Sequence, residues 1–470
     1  MITVILSREI KDIISSRKFI FAFLISAILI ILSFYVGARW YENNRSRYEA
    51  ALSENLRQMS GITDWVMINH HIYLSPDPLA ALVAGIDNDI GRDIQMYGVG
   101  ELKASDSRFS DDPIFSVFHF LDLEFIFSVV LALFAILFGY NMINGEKESG
   151  TLRLVFAHAL PRHQFIMGKI AGVLLAVMVP LLIPLCLGCL ILILLGVPMD
   201  SEAWLRLALI IFSGMLYFAV FLLLAIFIST RTVRSAHSFL LTLIVWIFTT
   251  LVIPRAAVLL AGRLVEVPST DELDSKKFRY RSQLWSEDIQ KMNAFELPES
   301  ENPQDMMDAF HRYMGELGRA RNEKTDLFNQ QLNEERRNRQ QQQQAVAFML
   351  ARLAPSASFS LAVLRLAGTS LALKQNFLEA ALLYQKSYAQ FLSAKTDGML
   401  PGAGMVFRMV TDDDQEPQPI NPHELPAFTF KRPSVIEAMQ QAALDISILI
   451  AFALLFFSSA YVSFLNYDVR

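Results

Sequence analysis

The sequence predicts an all-α membrane protein with six transmembrane helices and two large segments outside the membrane. Of its 470 residues, 53% are hydrophobic, 35 are Phe, and the mean hydropathy is positive, which sets it apart from an ordinary soluble domain. Several stretches without charged residues reach the roughly 20 residues that a helix needs to cross a bilayer. Most of the charge lies in two long segments between these stretches, and the second segment has helical periodicity.

Six apolar stretches are long enough to span. The predicted spans are residues 19–38, 119–143, 170–196, 204–229, 236–262 and 440–465. The first is not a cleaved signal peptide, because it follows a charged segment and exceeds the about 7–15 apolar residues of such signals. In the fifth, Pro254 is expected to break the helix, so that residues 256–262 tilt or re-enter the membrane.

The distribution of Lys and Arg predicts the orientation, because short cytoplasmic loops carry an excess of these residues. With the N-terminus in the cytoplasm, the inner segments 1–18, 144–169 and 229–235 are basic, whereas the short outer loop 196–203 has no Lys or Arg. Six spans then place both termini in the cytoplasm. The net charge of −5, without a basic tail, gives no indication of nucleic-acid binding.

Two extracytoplasmic insertions follow from this topology, residues 39–118 and 263–435. The first mixes turn signals with short apolar runs, and we expect α/β or irregular packing there. In the second, from about Pro303, apolar residues recur in alternating steps of four and three, a pattern typical of paired helices. A helix lasting to Arg352 would be some 75 Å long, an arm clear of the bilayer, paired with the preceding helix or with residues 378–391.

The stretch 345–373 is apolar but contains Arg352, Pro355 and Arg365. Two arginines in hydrocarbon would each cost about 2.5–3.5 kcal/mol on insertion scales. We therefore expect an amphipathic segment at the outer membrane interface rather than a seventh span. The alternative is a buried helix of the outer domain.

The inner loop 144–169, between the second and third spans, holds the most informative motif. It reads Gly-Glu-Lys-Glu-Ser-Gly-Thr-Leu at 145–152, then Leu-Pro-Arg at 160–162 and Gly-Lys at 168–169. Thr151 can cap a short helix, and Pro161 suits the first turn of the next one. Four apolar residues fall on one face of the short helix: Leu152, Val155, Phe156 and Leu160. An amphipathic helix exposed to the cytoplasm is a docking element for a partner.

In this position the motif resembles the signature of the ABC-2 type transporter permeases, the membrane subunits of bacterial ABC transporters. The resemblance extends to the segment 1–18, which resembles the family's cytoplasmic interface helix, and to the six-span layout. The expanded outer segments resemble a branch that carries an extracytoplasmic domain of unknown function between the last two spans. The resemblance implies a multi-pass protein of the bacterial inner membrane.

The resemblance also implies that the loop 144–169 contains the coupling helix, which docks on a separate ABC ATPase. The implied coupling residues are Glu146, Glu148, Gly150, Thr151, Leu152, Val155, Phe156, Leu160 and Pro161. Glu146 and Glu148 would bridge to the interface helix or to the ATPase, and a pair of solvated charges beside Lys147 is the alternative. Gly150 and Thr151 would form the turn and cap that set the helix.

The implied assembly is a pair of permease chains, identical or paralogous, in the lipid bilayer with an ATPase dimer. ATP and Mg²⁺ would bind to the ATPase, and the complex would export a substrate. Because the outer segments are large, the alternative is an ATP-driven mechanical or scaffold complex that acts on a periplasmic or envelope partner without transport.

The chain lacks motifs for chemistry of its own. It has no Gly-x-x-x-x-Gly-Lys-Ser/Thr phosphate loop, no Gly-x-Ser-x-Gly elbow and no His-Glu-x-x-His zinc motif. His70 and His71 are expected to be a surface pair rather than a metal site, and Cys186 and Cys189 to be packing residues of the third span. We expect no catalytic residue, cofactor or metal ligand on this chain, and a non-catalytic subunit.

Overall fold

A computed structural model describes residues 2–87, 92–97, 102, 122–157, 160–295, 303–396 and 419–467. The chain forms two compact units, one made of Met1–Ile253 with Arg352–Arg470 and the other of Pro254–Ala351. Helices dominate both, and the one sheet among the described residues has two strands. The predicted all-α membrane class is thereby confirmed.

The helices and strands have the following bounds. They are α1 (Ile2–Ile14), α2 (Arg17–Met59), β1 (His70–Tyr73), β2 (Asp93–Met96), α3 (Leu123–Gly139), α4 (Asn144–Glu148), α5 (Thr151–Ala157), α6 (Arg162–Leu194), α7 (Ser201–Arg231), α8 (Ser235–Leu264), α9 (Thr270–Asn293), α10 (Pro303–Ala351), α11 (Pro355–Ala367), α12 (Ala372–Lys395) and α13 (Val435–Leu465). Short 3-10 turns occupy Trp65–Met67, Leu79–Ala81 and Pro422–Glu424.

Seven helical stretches in the described part of the chain are long and apolar enough to cross a membrane. Six of them overlap the six predicted spans, and the seventh is Pro355–Lys395, which comprises α11 and α12. Because length and composition alone admit seven, the count of six stays a prediction. It depends on the position of α11.

Helix α7 is the centre of the first unit. In its most apolar stretch 72% of the residues are buried, against 17% in α13 and 11% in α8. Small residues allow α3 to approach it closely: a Cβ on Gly139 would lie 2.5 Å from the Ala225 Cβ, and one on Gly214 would lie 2.6 Å from the Phe127 ring. Helices α3, α8, α11 and α13 pack against α7, whereas α2 packs mainly against α6.

Helix α8 is not broken at Pro254, and that prediction is wrong. A π turn at Phe248–Val252 directly precedes Ile253–Leu264, which is regular α-helix and includes the residues expected to tilt or re-enter. Proline lacks a backbone N–H, and its ring clashes with the carbonyl four residues earlier. The wider π turn accommodates both effects, so the helix continues. A second π turn, Ile126–Leu131, lies in α3.

The first insertion begins as a continuation of the first span. Helix α2 has 43 residues and so extends about 65 Å, well beyond a bilayer core of about 30 Å. After it, β1 and β2 pair antiparallel, with Ile72 opposite Ile94. These two residues share an apolar core with Phe377 and Tyr388 of α12. A small α/β layer therefore contains parts of both insertions.

His70 lies in this layer and is buried, so the expected surface pair is wrong for this residue. Its Nε2 is 2.9 Å from the Tyr384 hydroxyl, and its Nδ1 is 3.4 Å from the Asn55 amide. His71 is more exposed, and its Nδ1 lies 2.7 Å from an Asp93 carboxylate oxygen. The His70 ring therefore ties β1 to α2 and α12.

The second unit contains a helical hairpin, and the predicted long helix is confirmed. Helix α10 has 49 residues, about 74 Å, and its partner is the preceding helix α9. Three stacked contacts show that the two run antiparallel: Tyr280 with Phe328 at 4.1 Å, Trp285 with the Arg321 guanidinium at 4.6 Å, and Phe295 with Tyr313 at 4.3 Å. Predicted features at residues 296–302, such as Pro298, lie outside the described residues.

Helix α11 is buried in the core of the first unit, so the expected position at the membrane surface is wrong. Its Phe359 is fully buried, and the ring lies 4.7 Å from that of Tyr217, halfway along α7. Arg352 and Arg365, which motivated the prediction, both bind Asp445 of α13, at 2.6 Å each. A shared buried carboxylate offsets the cost of burying the two guanidinium groups.

The arginine pair makes Asp445 a residue on which folding depends. Asp445→Asn would leave two adjacent guanidinium groups without a counter-charge, and we expect a loss of about 3–5 kcal/mol. Thermal unfolding of the purified full-length chain in a neutral detergent would measure it. Ser447→Ala, at an exposed position on the same helix, should change little, and equal unfolding of both variants would contradict the assignment.

Burial lowers the pKa of His70 to about 4, below the 6.5 of an ordinary histidine. The ring is therefore neutral in the folded chain, and the unfolded chain takes up its proton first. Stability should be complete above about pH 6.5 and fall by on the order of 2–3 kcal/mol as the pH drops toward 4. Urea unfolding between pH 7 and pH 4 would show it; His70→Gln should flatten the dependence, and His423→Gln, at an exposed position, should not.

Candidate functional site

The inner loop 144–169 folds as two short helices, α4 and α5, before α6. Between them Gly150 has a φ of +70°, a left-handed conformation that glycine adopts without strain. Thr151 is the first residue of α5 rather than a residue that precedes it, and its hydroxyl lies 2.9 Å from that of Ser149. Pro161 takes the capping position before α6, where its carbonyl accepts from the Gln164 N–H at 3.0 Å.

Glu146 forms part of a buried ion cluster. The ammonium of Lys169, which is 4% exposed, lies 2.7 Å from a Glu146 oxygen and 2.6 Å from a Glu9 oxygen. One cation from α6 thus joins a carboxylate of α4 to one of α1. Glu146 is therefore not a solvated charge but is joined through Lys169 to the predicted interface helix, and its role in coupling stays a prediction.

Two glycines let α1 lie directly on α6. A Cβ on Gly168 would be 3.1 Å from the Cβ of Ile5, and one on Gly172 would be 2.8 Å from the Cβ of Glu9. They are four residues apart and therefore lie on one face of α6. The close approach brings Glu9 within reach of Lys169. The helical part of the predicted segment 1–18 is Ile2–Ile14 together with the start of α2.

Lys147 lies at the inner end of α7. Its ammonium donates to the carbonyls of Thr230 at 2.7 Å and Thr232 at 3.2 Å, and it lies 4.1 Å from the centre of the Tyr467 ring. The last carbonyls of a helix have no partner within the helix and carry partial negative charge, so a cation stabilises this end. Lys147 therefore holds α4 against α7.

Glu148 lies at the inner end of α8. Its carboxylate accepts hydrogen bonds from the Ser235 N–H and hydroxyl, each at 2.8 Å. An anion suits a helix N-terminus for the same reason that a cation suits a C-terminus. Three consecutive charged residues thus bind three different elements: Glu146 through Lys169 to α1, Lys147 to α7 and Glu148 to α8.

The predicted apolar face of α5 is turned inward. Leu152 is buried, and Val155, Phe156 and Leu160 pack partly buried against the same core as the spans. The outward side instead presents Leu154, which is 68% exposed. The amphipathic pattern identified the helix correctly, but its apolar stripe anchors it to its own chain. Leu154, an apolar residue that does not belong to this stripe, was the feature of the sequence that could have identified the outward side.

Arg162 and Phe156 connect the loop to the inner end of α13. The Arg162 guanidinium donates to the carbonyls of Leu465 at 3.1 Å and Tyr467 at 2.9 Å. The Phe156 ring lies 6.1 Å from the ring of Phe464 and 5.3 Å from that of Phe165. Sequence reasoning used Arg162 and Lys169 as basic residues that orient the loop and as members of the motif, but it did not predict their partners.

Nothing in the described ranges resembles a metal centre: no group of three or more His, Cys, Asp or Glu side chains converges there. Cys186 is exposed and Cys189 half-buried on α6, and both are free thiols. The polar contacts of the loop therefore join helices to one another. This arrangement can pass a displacement of α5 to several spans.

The ion cluster predicts how α1 is held. Lys169→Gln would leave the carboxylates of Glu9 and Glu146 close together without a cation. We expect the free energy of unfolding to fall by about 3–5 kcal/mol, with α1 as the first element to unfold locally. Hydrogen exchange of residues 2–14 in the detergent-purified chain should become faster. Lys11→Gln, on the exposed side of α1, is the control, and unchanged protection in Lys169→Gln would refute the bridge.

Comparison with protein families matches residues 3–469 to the family described as ABC-2 family transporter protein. Comparison with curated proteins found no match. The family match includes α1, the loop with its ion cluster, all the predicted spans and both outer segments, so it does not rest on the motif alone. The chain therefore belongs to the ABC-2 transporter family and is a multi-pass membrane protein.

Proposed function

We propose that this permease subunit of an ABC transporter exports a substrate across the bacterial inner membrane with ATP hydrolysed by a separate ATPase subunit. Membership of the ABC-2 family supports the permease assignment. One observation carries the rest: the loop 144–169 binds the inner ends of several helices while one side of α5 faces outward. Such a site is suited to transmit the movement of a partner protein to the helices rather than to bind a substrate.

The proposed contact with the ATPase is the outward side of α5. Leu154 and Arg153 are exposed there and would enter the partner's groove. Leu152, Val155, Phe156 and Leu160 would act as anchors that keep α5 from moving alone. In this proposal the four implied apolar residues anchor α5, and docking falls to Arg153 and Leu154, which the resemblance did not imply.

The ion pairs and caps would then spread the motion. A displacement of α5 reaches α1 through Glu146 and Lys169, α7 through Lys147, α8 through Glu148 and α13 through Arg162. ATP and Mg²⁺ would stay on a dimer of ATPase subunits, so the complex would need a second permease chain. Both termini of this chain would then be cytoplasmic.

Leu154 gives the sharpest test. Leu154→Asp should weaken co-purification with the cognate ABC ATPase by at least about tenfold, because it places a charge at the centre of an apolar contact. The fold should survive, since the side chain is exposed. Val233→Asp is the matched control: it is 68% exposed as well and lies in the inner turn between α7 and α8. Binding that survives Leu154→Asp but not Val233→Asp would place the docking site elsewhere.

The second candidate function is mechanical work on a periplasmic or envelope partner. The hairpin of α9 and α10 favours it, because a helix of 49 residues far exceeds what a transport pore needs. Reconstitution in proteoliposomes separates the two functions. ATP-dependent flux of a candidate substrate that Leu154→Asp abolishes supports export. A cellular phenotype that depends on Leu154, with ATP turnover but no flux of any tested substrate, supports the mechanical function.

A further inference from the structure

We propose that α13 transmits the motion of the inner loop to the turn at Arg352, where the long helix α10 ends. Arg162, which binds the inner end of α13, and Arg352, which binds the outer part of α13, act as positioning residues. The inference rests on the proposed function, because it needs an ATP-driven displacement of α5. It goes further in naming one helix, and two contacts on it, as the route to the second insertion.

At its inner end α13 is bound to both sides of the loop. The guanidinium of Arg162 donates to the carbonyl of Leu465, the last residue of α13, and to that of Tyr467 just beyond the helix. The Phe464 ring stacks on that of Phe165 at 5.5 Å and lies 6.1 Å from that of Phe156. The polar contact of Arg162 and the stacking of Phe165 both bind the end of α13 to the start of α6, and Phe156 of α5 contacts the same Phe464 ring.

Helix α13 is built as a stiff element. Its 31 residues, about 47 Å, include no Gly, no Pro and no π turn. Each of the other five predicted spans has at least one of these features, for example Gly37 in α2, Pro180 in α6 and the π turn in α8. Kinks and bends arise at such features, so α13 would move more nearly as a rigid body. A reciprocal capping box between Ser434 and Glu437 fixes its outer end.

The outer part of α13 holds the turn at Arg352 through Asp445. Asp445 is fully buried; one of its oxygens lies 2.6 Å from the Arg352 Nε and the other 3.3 Å from an Nη. The second oxygen also binds Arg365, in the last turn of α11. One carboxylate thus binds Arg352, three positions before α11, and Arg365 near the end of that helix. A two-point arginine contact fixes orientation as well as distance.

The last step of the proposed route is the covalent connection between Arg352 and α10. Arg352 directly follows Ala351, the last residue of α10. Asp445 lies 20 residues before Leu465, about 30 Å along α13. A shift of α13 driven at Arg162 would therefore arrive at the end of α10 through one side-chain contact and one peptide bond. The same contact would be a plain structural anchor if α13 did not move, and the experiment separates these two cases.

The test uses the full-length chain with its cognate ATPase in lipid nanodiscs, with Cys186 and Cys189 replaced by alanine. Spin labels at Leu327 of α10 and Leu52 of α2, both exposed, report a distance by pulsed electron paramagnetic resonance in ADP and in ATP with vanadate. The distance distribution of the otherwise wild-type chain should shift between the two states. Arg352→Gln should abolish the shift while ATPase co-purification is unchanged. It leaves Asp445 paired with Arg365, so folding should be retained.

Two further variants make the result specific. Arg352→Lys keeps the charge but not the two-point contact, so part of the shift should return. Arg162→Gln should abolish the shift from the other end of α13. Arg39→Gln is the control, since it removes a basic residue from an exposed ion pair with Glu42 on α2, and its shift should equal that of the wild type.

The outcomes distinguish this inference from the proposed function. If the wild-type chain binds no ATPase, the proposed function fails. If the ATPase binds but the wild-type distance does not shift, or if Arg352→Gln shifts as far as the wild type, the route through α13 is refuted. Loss of the shift in Arg39→Gln as well would refute it too, since the effect would then not be specific to α13.

Discussion

The inner face of the protein depends on the burial of one ammonium group, that of Lys169, between two carboxylates. A buried cation is tolerated only when paired, and here the pairing requires α1, α4 and α6 to meet at one point. The two glycines on α6 and the caps at α7 and α8 are arranged around that meeting point. The pairing of this charge fixes how α1, α4 and α6 meet beneath the loop.

The outer half of the first unit obeys the same rule with opposite signs. There one buried carboxylate, Asp445, satisfies two guanidinium groups. In surroundings of low dielectric, each polar group must find its partner within the protein. Such pairs fix which helices are neighbours more strictly than apolar contacts, which tolerate sliding.

Sequence reasoning predicted what local patterns can encode. Runs of apolar residues indicated the spans, steps of three and four indicated α10, and the motif at 145–152 led to the family. The pairings are a different matter: Lys169 and Glu9 lie 160 residues apart, and Arg352 and Asp445 lie 93 apart. No periodicity connects such residues. The cost of placing Arg352 and Arg365 in hydrocarbon was counted without their shared partner Asp445. The expected position of α11 at the membrane surface was wrong for this reason. The π turn before Pro254 leaves no signature that distinguishes it from a break.

The separation of Lys169 from Glu9 also has a consequence for biosynthesis. Helix α1 is made before α6, and the Lys169 cation that neutralises Glu9 comes 160 residues later. At about 5–20 residues per second that interval is on the order of 10–30 s. During it the side of α1 that packs on α6 in the folded chain has neither that helix nor the Lys169 cation as a partner. Helix α1 can therefore take its final packing only after the third span, in α6, has been inserted.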